Sequence, residues 1–145
     1  ETIFGISRRA HPHWAGWKMV DAGDRGSEEL KRETEKLYRM HYWGPLQCDQ
    51  YPSQKLATVV YQAAVNCGTS VAARWLQGAL NRSGAELKVD GKVGNHTLHA
   101  IFEAERESRT SQVVEDFKVS QKNHYYSLPG KEKFLIGWLN RVNAA

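Results

Sequence analysis

The sequence lacks any long apolar run, and it contains little cysteine. No stretch of its 145 residues approaches the roughly 20 consecutive apolar residues that a membrane-spanning helix needs, so we expect no insertion into a membrane. Cys48 and Cys67 are the only 2 cysteines. Two cysteines form neither a disulfide framework nor a metal site by themselves. A single bridge in an oxidising compartment and two buried free thiols both stay open, and we favour the thiols.

The histidines also lack a metal-binding pattern. His96 and His99 are three positions apart, and His11 and His13 are two positions apart. No cysteine or carboxylate is spaced to complete a four-ligand site with either pair. We therefore expect no metal site, and the sequence implies no cofactor of another kind.

The positive charge has no pattern that would indicate a nucleic-acid partner. The net charge is +4, but the basic residues are scattered and no nucleic-acid motif accompanies them. We attribute the charge to solubility, since a small helical nucleic-acid binder would rest on this charge alone. The length of 145 residues suits one domain, and a content of 41% hydrophobic and 25% charged residues is typical of an ordinary globular protein.

The sequence begins without an initiator Met and without a signal-like segment. Residues 1–5 instead resemble the middle of a folded unit, so we expect further residues to precede Glu1. An export signal would belong to that preceding segment.

Apolar residues recur at helical spacing through most of the sequence. Residues 1–22 are the exception, and we predict an extended or loop-like opening there. The first helix is predicted after Ser27, whose side chain can cap it, and it should end at Gly44. The next helix is predicted from Ser53 to Gly68, and a third follows directly.

The second half continues this pattern after one interruption. Residues 81–94 are rich in Asn, Gly and Asp, which predicts a loop or a small hairpin. Asn95 is expected to cap the next helix, and another helix is expected around Phe117. The last helix is predicted from five apolar residues: Phe134, Leu135, Trp138, Leu139 and Val142. We therefore predict a mainly α protein, a single domain over residues 1–145 with about six helices.

Three segments carry a resemblance to one protein family. Residues 1–7 contain the pattern Thr-x-x-Gly-Ile, and residues 61–68 read Tyr-Gln-Ala-Ala-Val-Asn-Cys-Gly. Residues 89–98 contain Asp-Gly-x-x-Gly-x-x-Thr-Leu, and residues 134–142 fit the usual ending of the family. In this order the segments resemble glycoside hydrolase family 108, the N-acetylmuramidases of the phage-endolysin and secretion-activator type.

The resemblance implies both a fold and a reaction. The fold would be lysozyme-like, with residues 1–50 as the remainder of a catalytic part and residues 51–145 as a helical, peptidoglycan-binding-like part. The reaction would be hydrolysis of the β-1,4 bond between N-acetylmuramic acid and N-acetylglucosamine, which needs a carboxylic acid with a raised pKa. In the family pattern that acid is a Glu in a Glu-Gly-Gly setting, and an Asp and a Thr follow it. Thr2 matches the Thr, so we expect Thr2 to be catalytic and the Glu and Asp to precede Glu1.

No carboxylate in the chain is a convincing substitute for that acid. In an extended chain the side chain of Glu1 points away from that of Thr2. The remaining candidates are expected in a solvated loop or on a charged helix surface: Asp21, Asp24, Glu28, Glu29, Glu33 and Glu35.

The resemblance also implies substrate-binding residues. Asn66 is expected to hydrogen-bond a sugar group, and Tyr61, Gln62 and Ser7 are expected to contribute to the same site. Gln62 stands where the family often has Asp, which favours hydrogen bonding over acid–base chemistry at this position. From the residues alone, Asn66 could equally help to cap the helix before Gly68.

Structural alternatives stay open for the other candidates. Without the resemblance, Thr2 would be interpreted as an ordinary residue of a short strand. Tyr42, Trp43 and Tyr51 could stack on sugar faces, although burial in the core is the ordinary state of aromatic side chains.

The implied partner is the glycan strands of peptidoglycan, bound by a monomer. The protein would act in the periplasm or at the cell wall, after synthesis in the cytoplasm if it is a phage endolysin. Phage lysis and wall remodelling for secretion both fit this activity. The alternative function is a non-catalytic peptidoglycan-binding protein, which the turn from Asp90 to Leu98 and the absence of the Glu would support.

Overall fold

The computed structural model of the protein describes residues 1–128 and residue 142. Within residues 1–128 it contains a two-stranded sheet and six α-helices. The elements are β1 (Thr2–Ile3), β2 (Ile6–Ser7), α1 (Gly16–Asp21), α2 (Glu28–Tyr38), α3 (Gln54–Cys67), α4 (Thr69–Arg82), α5 (Asn95–Arg106) and α6 (Thr110–Tyr126). The prediction of a mainly α protein with little strand is confirmed. No helix among the described residues has the length and apolar character that crossing a membrane would require.

The chain divides into two compact units, Glu1–His41 and a second unit that begins at Tyr42. The boundary expected from the sequence, between residues 50 and 51, lies further along the chain. Local composition gives no sign of the observed boundary because the backbone stays helical there, as a π-helical segment over Arg39–Trp43. The prediction of a single domain stays a prediction.

In the first unit a short hairpin packs against helices α1 and α2. The two strands are antiparallel, with Thr2 opposite Ser7 and Ile3 opposite Ile6. The turn between them is formed by Phe4 at φ +52° and Gly5 at φ +79°. Two positive φ values in succession are characteristic of the tight type I′ turn. The core of this unit consists of five buried side chains: Ile6, Trp17, Val20, Leu30 and Leu37.

The predicted extended or loop-like opening over residues 1–22 is wrong where α1 forms. This helix has only six residues, and it buries Trp17 and Val20. One pair of apolar residues three positions apart is too short a pattern to indicate a helix in the sequence.

Helix α2 begins as the sequence predicts and ends differently. The Ser27 hydroxyl accepts the N–H of Leu30 at 3.1 Å, so the predicted cap is confirmed. The α-helix ends at Tyr38, and a π-helical segment continues to Trp43, the residue before Gly44. Gly44 therefore ends the helical run, whereas the change of helix type was not predicted.

The core of the second unit lies where α3, α4 and α6 pack together. The Ser53 hydroxyl caps α3 by accepting the N–H of Leu56 at 3.1 Å. Gly68, at φ +94°, separates α3 from α4, and its N–H donates to the Ala64 carbonyl at 2.7 Å. Both predicted ends of α3 are thus confirmed. The core side chains from these helices include Leu56, Val59, Val60, Ala63, Ala64, Ala73, Leu76, Leu80, Val113, Val114 and Phe117.

Residues 83–94 form a loop that contains no strand among the described residues, which decides between the predicted loop and hairpin. The Asn81 side chain at the end of α4 anchors the middle of this loop. Its carboxamide oxygen accepts the Leu87 N–H at 2.7 Å, and its nitrogen donates to the Leu87 carbonyl at 2.9 Å. One side chain therefore satisfies both backbone groups of Leu87.

Gln77, which is 1% exposed, holds the end of the same loop. Its Nε2 has two N–H groups and lies within hydrogen-bond distance of three acceptors, Asp90 Oδ1 and the Lys92 carbonyl at 2.9 Å and Thr97 Oγ1 at 3.2 Å, so one N–H is shared between two of them. Its Oε1 accepts the N–H groups of Asp90 and Gly91, both at 3.1 Å. The motif Asp-Gly-x-x-Gly-x-x-Thr thus closes around one buried carboxamide.

Gly91 cannot be replaced freely in this turn. Its φ is +77°, and a Cβ atom there would lie 2.6 Å from the Ser70 hydroxyl oxygen. A left-handed backbone and a close neighbour together require glycine.

The predicted capping of α5 by Asn95 is wrong. The cap residue is Gly94, whose backbone is extended, and no side chain caps this helix. Asn95 is already the first helical residue, and a residue at that position cannot cap its own helix. The predicted helix with Phe134, Leu135, Trp138 and Leu139 lies outside the described residues, except for Val142, which is buried.

We expect Gln77→Leu to destabilise the protein by about 2–4 kcal/mol, because the substitution keeps the volume but leaves the Thr97 hydroxyl and the turn at Asp90 without their partner. Equilibrium unfolding in urea measures the loss. The matched control is Gln112→Leu. Gln112 is exposed on α6, and within residues 1–128 its side chain makes one hydrogen bond, from Nε2 to Asp116 Oδ1 at 3.0 Å. Equal stability of the two variants would show that the Gln77 network does not stabilise the fold.

Candidate functional site

Thr2 and Ser7, two of the predicted site residues, are brought together by the hairpin. They are directly opposite each other in the antiparallel pair. Because side chains alternate along a strand, Thr2 and Ser7 share one face, and Ile3 and Ile6 share the other. Ile6 is buried and Thr2 is exposed. The hairpin therefore presents two hydroxyl groups on its exposed face, and the Ser7 hydroxyl also accepts the Ala10 N–H at 3.4 Å.

The opposite face of the hairpin carries an ion pair. The Arg8 guanidinium donates to Glu1 Oε1 at 2.7 Å and to both carboxylate oxygens of Asp21 at 2.7 Å. Its central carbon lies 4.9 Å from the centre of the Trp17 ring. The hydrogen bond from Arg8 lowers the pKa of Asp21 below its usual value.

Three carboxylates of the first unit lack the environment that the acid of a glycosidase needs. Such an acid needs a raised pKa, which partial burial beside apolar groups provides. The pKa of Asp21 is lowered by Arg8, and that of Asp24 is lowered by the Ser27 hydroxyl and by the N–H groups of Gly26 and Ser27. Glu1 is exposed and bound to Arg8. These three carboxylates therefore have structural roles, as hydrogen-bond and ion-pair partners within the first unit.

Tyr61, Gln62 and Asn66, the remaining predicted site residues, lie together on α3. Gln62 and Asn66 are exposed and one helical turn apart, and Tyr61 is half-buried beside them. The Tyr61 ring makes an edge-to-face contact with Trp43, with ring centres 5.3 Å apart. We call the surface formed by Tyr61, Gln62 and Asn66 the α3 ridge. It joins an aromatic ring to two amides that are open to a ligand.

Asn66 is not the cap of α3. The helix ends through the backbone bond from Gly68 to Ala64, and the Asn66 side chain is exposed. Among the aromatic candidates, Tyr51 is buried and donates its hydroxyl hydrogen to the Leu46 carbonyl at 2.8 Å, so its role is structural. Tyr42 and Trp43 are half-buried against the core of the second unit.

The two cysteines are free thiols. Cys48 is buried, and burial raises its pKa to about 12, so it stays protonated near neutral pH. Cys67 is partly buried, and burial raises its pKa as well. The preferred interpretation of free thiols is confirmed, with the difference that Cys67 is not fully buried.

Each unit also contains a cleft. In the second unit a cleft of about 660 Å³ lies between the loop and α5, and its charged and imidazole side chains include Glu86, Lys88, Lys92, His96, His99 and Glu103. In the first unit a cleft of about 430 Å³ is lined by His11, His13, Trp14, Leu37, Met40 and His41. Within the described residues, no three His, Cys, Asp or Glu side chains are arranged to hold a metal ion.

Sequence reasoning missed the structural role of two residues. Arg8 had no visible signal, because its partner Asp21 is thirteen positions away and the hairpin register was unknown. Gln77 did have a signal, since it occupies a position between Ala73 and Leu80 on the apolar stripe of α4. A polar residue on such a stripe must find partners when it is buried.

Two family models match consecutive parts of the chain. A model described as Glycosyl hydrolase 108 matches residues 1–68, and one described as Predicted Peptidoglycan domain matches residues 71–143. No curated protein matches the sequence.

A solved structure titled "Structure of Brucella abortus SagA" is similar to the chain, with 20% sequence identity and a TM-score of 0.67. The similarity covers 90% of this chain and 72% of that one, and at this identity it shows the fold alone. The order of the two family matches, a glycoside hydrolase followed by a peptidoglycan domain, is that of a peptidoglycan hydrolase. The chain therefore belongs to the glycosyl hydrolase 108 family, with a predicted peptidoglycan domain as its C-terminal half.

Proposed function

We propose that the protein is an N-acetylmuramidase, which hydrolyses the β-1,4 bond between N-acetylmuramic acid and N-acetylglucosamine in peptidoglycan. The observation that carries this proposal is the hairpin formed by the Thr-x-x-Gly-Ile segment, with the hydroxyl-bearing residues Thr2 and Ser7 opposite each other on its exposed face. A threonine hydroxyl both donates and accepts hydrogen bonds. Thr2 would hold the attacking water, and Ser7 would bind the substrate beside it.

The general acid of this reaction would be a Glu that precedes residue 1, as in the family pattern that Thr2, Gly5 and Ile6 match. The acid protonates the leaving oxygen while a water, held by an Asp and the Thr, attacks from the other face of the sugar. The environments of Asp21 and Asp24 support this placement, since hydrogen bonds lower the pKa of both carboxyl groups. Glu1 is exposed and paired with Arg8.

The α3 ridge would bind the glycan. The amides of Asn66 and Gln62 are exposed and can hydrogen-bond N-acetyl and hydroxyl groups. The half-buried Tyr61 ring beside them would add apolar contact area for a sugar. A carboxamide at position 62 can orient a sugar but cannot transfer a proton. Acid–base chemistry is therefore not assigned to Gln62.

The biological setting that we propose is the cell wall. The protein would act there or in the periplasm as a monomer on glycan strands, and not on nucleic acid. Two settings would use this reaction. One is phage lysis by an endolysin made in the cytoplasm, and the other is wall remodelling for secretion. The basic net charge of +4 is compatible with an anionic polymer as substrate.

A second candidate function is non-catalytic binding of peptidoglycan. The cleft of about 660 Å³ in the second unit favours it, because this cleft lies within the residues that match the peptidoglycan domain. The cleft has side chains of both charge signs, which suits a peptide stem with amino and carboxylate groups. Binding without any hydrolysis would distinguish this function from the first.

We expect residues 1–145 alone to bind purified peptidoglycan but to hydrolyse it slowly, because a general acid contributes roughly 10²–10⁴-fold to the rate. Co-sedimentation measures binding, and the release of reducing ends measures turnover. Reduction of the products followed by mass spectrometry identifies the bond, since a muramidase leaves N-acetylmuramic acid at the new reducing end. Turnover equal to that of an active muramidase on the same substrate would contradict the placement of the acid. A form that includes the preceding Glu and still hydrolyses nothing would favour the second candidate.

The active form is the protein together with the Glu that precedes residue 1. In this form we expect Thr2→Val to lower turnover by roughly 10- to 100-fold while the melting temperature is unchanged, because the side-chain shape is kept and the water-holding hydroxyl is lost. Thr2→Ser is the matched control, since it keeps the hydroxyl and should recover much of the activity. If Thr2→Val stays within about twofold of the unchanged protein, Thr2 is merely a strand residue.

We expect Asn66→Ala to leave the melting temperature unchanged and to weaken transition-state binding by roughly 1–3 kcal/mol, because a sugar group would lose its hydrogen-bond partner. Values of kcat/KM on soluble glycan fragments give the loss. Asn123→Ala is the control, since Asn123 is also exposed on a helix. A large fall in melting temperature with unchanged kinetics would instead mean that Asn66 holds the turn at Gly68.

A further inference from the structure

We propose that Arg8 and Tyr38 are positioning residues, which hold the hairpin of Thr2 and Ser7 from its two ends. This inference rests on the proposed role of Thr2. The hairpin has only two residues in each strand, and a pair of strands this short is not stable alone. Something outside the strands must therefore fix the place of the Thr2 hydroxyl.

At its open end, the hairpin is held by Arg8. The Arg8 N–H donates to the Glu1 carbonyl at 2.9 Å, which continues the strand pairing by one step. The guanidinium then bridges the Glu1 carboxylate and the Asp21 carboxylate at the end of α1. The hydrogen bond from Arg8 lowers the pKa of Asp21, which favours the ionised carboxylate of this bridge. The first strand is thus tied to α1 through one planar cation.

At its turn, the hairpin is held by Tyr38, the last residue of α2. The Tyr38 hydroxyl donates to the Phe4 carbonyl. Phe4 has a φ of +52°, a conformation that a bulky residue seldom adopts without support from its surroundings. Gly5 must be glycine in this turn, because a Cβ atom there would lie 2.7 Å from the Tyr38 hydroxyl oxygen.

Neither residue shares the face that carries the hydroxyl groups. Arg8 pairs across the hairpin with Glu1, so it lies on the face of Ile3 and Ile6, and its guanidinium rests on the Trp17 ring. Tyr38 packs against the core cluster that contains Ile6, and its hydroxyl bonds a backbone carbonyl of the turn. Both residues would therefore act through Thr2 and not by touching the sugar.

We call Arg8 and Tyr38 the clamps of the hairpin. The test replaces each clamp and measures the local order of the hairpin. Arg8→Met keeps the aliphatic stem and removes the charge, and Tyr38→Phe removes only the hydroxyl. Arg9→Met and Tyr126→Phe are the matched controls, since Arg9 and Tyr126 are exposed. We expect hydrogen exchange of the amides of residues 2–8 to accelerate about tenfold or more in the clamp variants, while the controls and the melting temperature stay unchanged. Exchange equal to that of the controls would overturn the proposal.

Kinetics of the active form then separate positioning from substrate binding. We expect kcat to fall about 10- to 100-fold in the clamp variants while KM changes by less than about threefold, because a misplaced Thr2 impairs the transition state and not the binding of the glycan. Arg8→Lys should recover part of kcat, since lysine restores the charge without the bidentate fork. Faster exchange with kcat equal to that of the controls would also overturn the proposal. Absence of hydrolysis by the unsubstituted active form would refute the proposed function instead, and the exchange data would still decide whether the clamps hold the hairpin.

Discussion

A buried carboxamide is the interaction on which the second unit depends. The core between α3, α4 and α6 is apolar, and Gln77 on α4 carries a 1% exposed amide that bonds the loop and α5. Burial of an unpaired polar group costs on the order of 1–3 kcal/mol, so both ends of this amide must be bonded. The turn at Asp90 and the Thr97 hydroxyl meet that requirement. The loop and the start of α5 are thereby fixed to α4, and Gln77, Asp90 and Thr97 also line the cleft of about 660 Å³.

In the first unit, exposed side chains hold the short hairpin in place. Its hairpin is too short to bury much surface, so side chains outside the strands hold it through Arg8, Asp21 and Tyr38. Exposed ion pairs add little to global stability, because water screens them and long side chains lose freedom when they pair. They can still order a few residues locally. The network at Gln77 therefore stabilises the fold, whereas the contacts around the hairpin determine where two hydroxyl groups stand.

The carboxylates of the first unit are structural partners and do not have the properties of a catalytic acid. In the first unit, the pKa values of Asp21 and Asp24 are lowered by hydrogen bonds, and both carboxylates stay charged near neutral pH. A charged carboxylate is a good structural partner and a poor proton donor. The face with Thr2 and Ser7 carries neutral hydroxyl groups, which both donate and accept hydrogen bonds. The α3 ridge has the same character, with two amides beside an aromatic pair.

Local pattern in the sequence determined most helices of this protein. The caps at Ser27 and Ser53 and the glycine at position 68 could be placed correctly because a cap bonds residues within the same turn of chain. Helix α1 could not be predicted, since its six residues make too short a pattern. The uncapped start of α5 could not be predicted either, because the side chain that bonds Thr97 comes from α4. The resemblance likewise named Thr2 and Ser7 as separate candidates. Only the tertiary structure decided that they face each other, that Arg8 lies behind them on Trp17, and that Asp90, Gly91 and Thr97 meet at Gln77. Helical periodicity is a property of neighbouring residues, whereas strand register and buried hydrogen bonds join residues that only folding brings together.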